Sequence, residues 1–276
     1  MARILSISSQ VIRGHVGNSA AVPALQALGH EIWPAMTIIL SNHPAYGSTT
    51  GLAVEGPTLD AMLSKLEDFG WHRDVDAIVA GYFRSPEQVE VAARHIAIAR
   101  QVNPALHVLI DPIIGDDPAG LYVPQAVAEA IRDHLLPLAD TITPNRFELS
   151  WFSGLEIESI NDARAARDLV GVDETIVTSF PLRAGVLANL LFTGDELVSA
   201  EVPLRPRVPN GTGDLVTSLL LGHRLNGHAL PEALARTIAG VDLVLDYTGS
   251  RDELNLTAAL PHLRDVKPVM LTSPVS

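Results

Sequence analysis

A chain of 276 residues, 47% of them hydrophobic, can bury a sizeable core and suits one large α/β domain as well as two small ones. The net charge of -13 argues against nucleic acid as a partner, because phosphate backbones attract basic surfaces. Cysteine is absent, which excludes disulfides and thiolate metal sites, and lysine occurs only at Lys65 and Lys267.

The N-terminus enters a short apolar run at once, without the pattern of a secretory signal. No uninterrupted apolar stretch is long enough to span a bilayer. A soluble, cytoplasmic protein with no membrane partner is the expectation. Ala2 to Ser8 reads as a buried strand, Ser9 to Gly17 as a loop, Asn18 to Leu28 as a helix and Glu31 to Leu40 as an extended run. Ser41 to Pro57, rich in glycine and proline, reads as a mobile loop. Thr58 is placed to cap a helix reaching Phe69, with Leu59, Met62, Leu63 and Leu66 on one face.

Asp76 to Ala80 is a strand ending on Gly81-Tyr82, and Pro86 to Val102 a helix. Leu106 to Ile110 is a strand ending on Asp111-Pro112. A loop from Gly115 to Leu121 precedes a helix from Pro124 to Leu135. Asp140 to Ile142 is a short strand before Thr143-Pro144-Asn145. A helix then runs to Ser153, and another from Asn161 to Val170. Glu174 to Thr178 is a strand, and Val186 to Thr193 with Glu196 to Leu204 form a hairpin over Gly194-Asp195. An apolar helix runs from near Gly213 to Asn226, then Pro231 to Tyr247 and a short helix from Leu256 to Leu263. The tail from Lys267 carries two prolines and is expected to be loosely held.

Strands alternating with helices, several of them almost wholly apolar, predict a mainly parallel sheet with helices on both faces. Ligands bind such folds beyond the carboxyl ends of the strands. Ser9, Tyr82, Asp111, Thr143, Asn145 and Thr178 all fall there.

The stretch Pro209-Asn210-Gly211-Thr212-Gly213-Asp214 opens the apolar helix. Glycines allow close backbone approach, and the free amides and positive dipole of a helix start suit phosphate. Asp214, ionised there, can take a proton from an alcohol while the amides hold phosphate charge. The same residues read equally as a tight turn and an ordinary first-turn acid. Asp111 with Asp116, and Asn145 with Glu148, offer oxygen ligands for a hard cation such as Mg²⁺. They read equally as an Asp-Pro turn and an N-x-x-E capping box. His15 and His43 lie in polar loops without metal-ligand spacing. No P-loop, no dinucleotide fingerprint and no Gly-x-Ser-x-Gly elbow occurs.

Taken together, these motifs resemble the ribokinase-like kinases, and among them the pyridoxal kinases, over Ile4 to about Tyr247. Ser8-Ser9-Gln10-Val11 with Gly14-His15-Val16-Gly17-Asn18-Ser19-Ala20 is similar to the family's first-strand loop. Thr37 with Ser41-Asn42-His43 and Tyr46-Gly47 is similar to its substrate-side loop. Gly81-Tyr82 resembles its ring-packing tyrosine. Asp111-Pro112, Thr143-Pro144-Asn145 and Gly211-Thr212-Gly213-Asp214 resemble its nucleotide, metal and catalytic motifs.

The resemblance implies one three-layer α/β/α domain over residues 1–276 that phosphorylates the 5′-hydroxyl of pyridoxal with ATP, and a homodimer. Asp214 would be the base, with the amides of Gly211, Thr212 and Gly213 as anion hole. Asp111 and Glu148 would organise Mg²⁺, with Thr143 and Glu148 near a K⁺. Asn145, Thr178 and Ser179 would line the nucleotide, and Asp116 would face its phosphates. Adenine would lie between Leu204 to Val208 and the later helices. Ser9, Thr37 and Tyr82 would hold the pyridine, with His43 close by. Two features depart from the family: Pro44 stands where a threonine often follows the histidine, and no lysine adjoins Ser179. The rivals are a hydroxymethylpyrimidine or other small-alcohol kinase, a non-catalytic vitamin-binding protein and, more distantly, a hydrolase.

Overall fold

In the computed structural model, which describes residues 1–274, the first half of the chain runs β1 (Arg3–Val11), α1 (Asn18–Ala27), β2 (Glu31–Leu40), β3 (Gly51–Ala53), α2 (Gly56–Asp68), β4 (Ala77–Ala80), α3 (Pro86–Val102) and β5 (His107–Ile110). A ribbon of β6 (Gly115–Asp116) and β7 (Gly120–Leu121), α4 (Gln125–Ala130) and β8 (Thr141–Ile142) follow. The second half holds α5 (Arg146–Ser153), α6 (Ile160–Val170), β9 (Glu174–Arg183), β10 (Val186–Thr193), β11 (Glu196–Pro203), α7 (Thr212–Leu225), α8 (Leu230–Thr248), α9 (Leu256–Ala259) and β12 (Leu271–Thr272).

The main sheet has ten strands in the order β12-β11-β10-β9-β8-β5-β4-β1-β2-β3. From β9 across to β2 neighbouring strands are parallel. β3 adds an antiparallel edge on one side, and β10, β11 and β12 an antiparallel extension on the other. The central strands are apolar on both faces because both are covered. Alternate residues go to opposite cores. Leu5, Ile7, Ile78, Ala80, Val108 and Ile110 pack with α2, α3 and α4. Ile4, Ala77, Val79 and Leu109 pack with Leu25 of α1 and Leu220, Leu221, Leu234 and Ile238 of α7 and α8. Val177, Leu190 and Phe192 meet α5 and α6 in a further cluster. The expected three layers with a mainly parallel sheet are present.

Helix boundaries follow local chemistry. The Ser85 hydroxyl caps α3 at the Gln88 amide (3.3 Å). Capping boxes open α5 (Asn145, Glu148) and α6 (Ser159, Asp162), and left-handed Gly154 and Gly171 close them. Thr58 does not cap α2. That helix begins at Gly56 behind Glu55, with Pro57 in its first turn, where a missing N–H costs nothing.

Other differences share a cause. β1 continues past Ser8 to Val11 through a bulge, and β9 runs on to Arg183, because cross-strand pairing carries polar residues that lack a strand pattern. The Ser41–Pro57 stretch contains a 3₁₀ turn (Pro44–Tyr46) and β3, and the Gly115–Leu121 stretch contains the β6–β7 ribbon. The tail is not simply loose: Leu271 and Thr272 pair with Ala200 and Ser199.

Since β1, β4, β5, β8 and β9 run the same way, their carboxyl ends open on one edge. The start of α7 is pressed against that edge. Gly211 is left-handed (φ 95°), and a Cβ there would sit 1.8 Å from the His15 carbonyl oxygen, so only glycine fits.

Candidate active site

The start of α7 presents backbone donors and one carboxylate. Gly211 is the N-cap residue and Thr212 the first helical residue. The Leu215 amide donates to the Gly211 carbonyl (3.0 Å), so the earlier amides of Thr212 and Gly213 have no acceptor inside the helix. Burial lifts the Asp214 carboxyl to about 6, against the pull of the Gly17 amide and its own amide. The dipole alone would keep this acid in the ordinary aspartate range. Desolvation wins, and the result is a group near neutrality, suited to proton transfer.

Asp111 ends β5 and is 7% exposed. The Thr217 hydroxyl, one turn along α7 from Asp214, donates to Asp111 Oδ2 (2.8 Å), and the Thr143 hydroxyl bonds Thr217 (2.9 Å). Burial, then the charge of Asp214, push the Asp111 carboxyl up to about 7. Both acids line one small cavity with Ser8, Gly17, Gly81 and Thr217. Glu148, also buried, is raised well above its ordinary range by burial and by Asp111. Its two oxygens accept from the amides of Ile114 (3.0 Å) and Asn145 (2.9 Å). No arginine or lysine pairs with Asp111, Asp214 or Glu148 among the described residues. Buried carboxylates left in this state invite a cation.

The donor set fits Mg²⁺ bound sparsely. No three acidic or imidazole groups able to hold a metal converge among the described residues, so phosphate oxygens and water would complete the shell. Glu148 already uses both oxygens in the capping box and on the Ile114 amide, an arrangement compatible with a hold on the ion that runs partly through water. Thr143, 3% exposed, bonds Thr217 and also acts on Asp111 directly, its hydroxyl pulling the Asp111 carboxyl down against burial.

The residues expected to meet a pyridine join the same cavity through Ser8 and Gly81. Tyr82 is half-buried and fixed at both backbone atoms. Its amide donates to Ser8 Oγ (3.2 Å) and its carbonyl accepts from Thr37 Oγ1 (2.7 Å). Burial raises its phenol. Thr37, fully buried, thus spends its proton on holding Tyr82, and Gln88 Nε2 holds the Thr37 carbonyl (2.8 Å). Thr37 is placed to orient the ring rather than to touch a ligand with its donor. Ser9 lies against Gly17, where a Cβ would fall 2.3 Å from Ser9 Oγ. His43 Nδ1 accepts from the Ala45 amide (3.2 Å) and caps the turn at Pro44, so the proline suits its position.

Asp116, Asn145, Thr178 and Ser179, expected on the nucleotide, line one cleft of ≈220 Å³ with Asp117 and Arg146. Asn145 bridges β9 at Thr178, and its Nδ2 donates to the Gly115 carbonyl (2.8 Å). Ser179 is left-handed (φ 53°), a strained state for serine, and its amide donates to Asn189 Oδ1 (3.2 Å). Arg205, Arg207, Pro209 and Leu245 line a neighbouring cleft of ≈170 Å³, between the expected adenine segment and α8.

Sequence reasoning missed four residues here. Thr217 was detectable, because three residues after Asp214 is the same helix face. Tyr122, whose phenol is raised by burial and Asp116, and Arg146, joined to Asp117 (2.5 Å), sit among turn and helix residues with no distinguishing pattern. Glu253 contacts Arg13 and Tyr46 from more than 200 positions away, beyond any local signal.

With this geometry in place, comparison with known proteins is informative. The family model described as phosphomethylpyrimidine kinase matches residues 17–250. Pyridoxal kinase PdxY of Rubrobacter xylanophilus is 36% identical over 266 residues, covering 93% of this chain and 91% of that one. The pyridoxine/pyridoxal/pyridoxamine kinase of Bordetella avium is 38% identical over 237 residues, covering 84% of this chain and 80% of its own. Among solved structures, the pyridoxal kinase of Leishmania donovani in complex with ADP and pyridoxine superposes with a TM-score of 0.92 at 26% identity, covering 98% of both chains. That of Entamoeba histolytica gives 0.92 at 27% identity and 99% of both. The chain belongs to the phosphomethylpyrimidine kinase family and, within it, to the pyridoxal kinases.

Proposed function

We infer that this chain phosphorylates the 5′-hydroxyl of pyridoxal with ATP, giving pyridoxal 5′-phosphate for vitamin B6 salvage, with pyridoxine and pyridoxamine as further substrates. One observation carries the residue roles. Asp214 stands at a helix start beside unpaired amides, with its carboxyl near 6, and shares one cavity with Asp111 and with Ser8, which holds the Tyr82 amide. A base at that point accepts the proton of an alcohol as its oxygen attacks the γ-phosphorus. The Thr212 and Gly213 amides, with Gly211 shaping the turn, stabilise the charge that develops on the transferring group.

Tyr82 packs on the pyridine, oriented by Thr37 and Ser8, with Ser9 and His43 at the rim. Asn145, Thr178 and Ser179 line the nucleotide, with Asp116 near its phosphates. Adenine lies beside Arg205, Arg207 and Leu245. Asp111 is the main protein ligand for Mg²⁺, with Glu148 acting through water and Thr143 near a K⁺. When bound, the divalent ion neutralises phosphate charge. The catalyst is one kinase domain, cytoplasmic and dimeric.

The match to a phosphomethylpyrimidine kinase model favours hydroxymethylpyrimidine as the competing acceptor. Comparing kcat/KM for pyridoxal, pyridoxine, pyridoxamine and hydroxymethylpyrimidine, with and without Mg²⁺, decides between them. Preference for a B6 vitamer and loss of turnover without Mg²⁺ are expected. A preference for hydroxymethylpyrimidine overturns the substrate, and pyridoxal binding without ATP consumption overturns the catalysis.

A further inference from the structure

The loop after β2 covers the vitamin side, yet no residue of its Pro44–Tyr46 turn is buried. Its other side-chain hydrogen bonds, such as Asn42 to the Ser48 carbonyl (2.9 Å) and Thr49 to the Asn42 carbonyl (3.0 Å), stay within the loop. The Tyr46 hydroxyl ties its tip to the body of the protein, with the Asp252 carbonyl oxygen 3.3 Å away and Glu253 nearer. The Tyr46 hydroxyl donates to Glu253 Oε1 (2.7 Å). Arg13, from the loop after β1, donates to the same oxygen (3.3 Å), and its guanidinium lies 5.1 Å from the Tyr46 ring centre. The two loops are joined to each other, because the Arg13 amide donates to the Ser41 carbonyl (3.0 Å).

Glu253 itself is held in place. Its neighbour Leu254 packs with Leu215 and Leu219 of α7, the residue beside Asp214 and the next turn. The Asn255 amide donates to Thr248 Oγ1 (2.9 Å). A Cβ on Gly14, which is left-handed, would lie 2.7 Å from Glu253 Oε2, so the glycine makes room for this carboxylate. A single acid thus fastens two exposed loops to a segment packed on the helix that bears the base.

We propose that Glu253 is a positioning residue that latches the vitamin-side loop shut through Tyr46 and Arg13. Pyridoxal enters with the Tyr46–Glu253 contact open, and the contact re-forms over the bound ring. Water is then kept from the transferring phosphoryl group. The closed fraction scales the apparent affinity for the vitamin, while the cleft of Asp116, Asn145, Thr178 and Ser179 has no lining residue from this loop. The inference rests on the vitamin lying against Tyr82.

The test is steady-state kinetics on Glu253→Gln, Tyr46→Phe, the double variant and Tyr82→Ala. Glu253→Gln and Tyr46→Phe should each raise KM for pyridoxal by about three- to tenfold, the span for losing one partly exposed charge-assisted hydrogen bond. KM for ATP should stay within about twofold, and the double variant should be no worse than the worse single one. An unchanged KM for pyridoxal in both single variants, effects that multiply in the double variant, or an equal rise in KM for ATP overturns the latch. Tyr82→Ala separates this from an error in the vitamin's placement. If it raises KM for pyridoxal while the latch variants do not, only the latch fails. If it too leaves KM unchanged, the placement fails and the latch with it.

Discussion

At the amino ends of the parallel strands, Asp140 accepts from Arg100 (2.5 Å) and from the Val108 amide (2.7 Å). Glu174 accepts from Arg224 (3.0 Å) and Thr141 (2.5 Å), and Asp76 from the Arg3 amide (2.7 Å). At the carboxyl ends, Asp111, Asp214 and Glu148 meet only hydroxyls and amides, and all three carboxyls are raised. Both ends of the sheet are polar. At one, Asp140 and Glu174 each have an arginine that settles the charge, so the cluster staples strands together. At the other, negative charge is left uncompensated, which costs stability until a cation or a proton arrives. A fold places its chemistry where it leaves charge unsettled.

Exchanging these roles in the laboratory should break the contrast. The largest effect is expected from Asp214→Asn, which keeps the shape and removes the base. Turnover should fall about 10²- to 10⁴-fold while calorimetry still shows binding of pyridoxal and ATP. Near-normal turnover would remove Asp214 from the chemistry.

Asp111→Asn sharpens the contrast through stability. A carboxyl whose folded value is raised takes up a proton on folding. Stability is therefore lost as pH climbs from the ordinary aspartate range through about 7. The variant should gain on the order of 2–4 kcal/mol at pH 8 and little near pH 4, read as melting temperature against pH, although its activity suffers. A loss of stability at pH 8 would show that Asp111 is settled after all.

At the opposite end the sign reverses. Glu174→Ala strands Arg224 and leaves the Thr141 hydroxyl with His107 alone, and should cost about 1–3 kcal/mol in denaturant unfolding. In the folded enzyme at 25 °C, kcat/KM should stay within about twofold. A large kinetic defect there would mean that the two ends are coupled.

Much of this was readable beforehand, for physical reasons that also mark the limits. Apolar runs such as Ala77–Ala80 and the spacing of strands and helices announce a buried parallel sheet, and the strand-end rule then gathers Tyr82, Asp111 and Thr143 on one edge. Gly211 could be assigned to a tight approach, though not to the His15 carbonyl that it meets. What escaped depends on tertiary pairing. β3, β6, β7 and β12 are two or three residues long and exist because a neighbouring strand offers bonds. Thr37 carries a family-like identity, but its hydroxyl is claimed by the Tyr82 carbonyl, which no one-dimensional pattern reveals, whereas the N-x-x-E spacing did announce the capping box of Glu148. The raised state of Asp214 depends on burial that outweighs the helix dipole, a balance of magnitudes rather than of residue types.

The most direct measurement is kcat/KM for pyridoxal from pH 5 to 9 at saturating MgATP. If the unsettled carboxylate of Asp214 is the base, the profile falls on the acid side with an apparent pKa near 6 and a slope of one, because its proton blocks acceptance of another. A profile that stays flat to pH 5 would contradict the account.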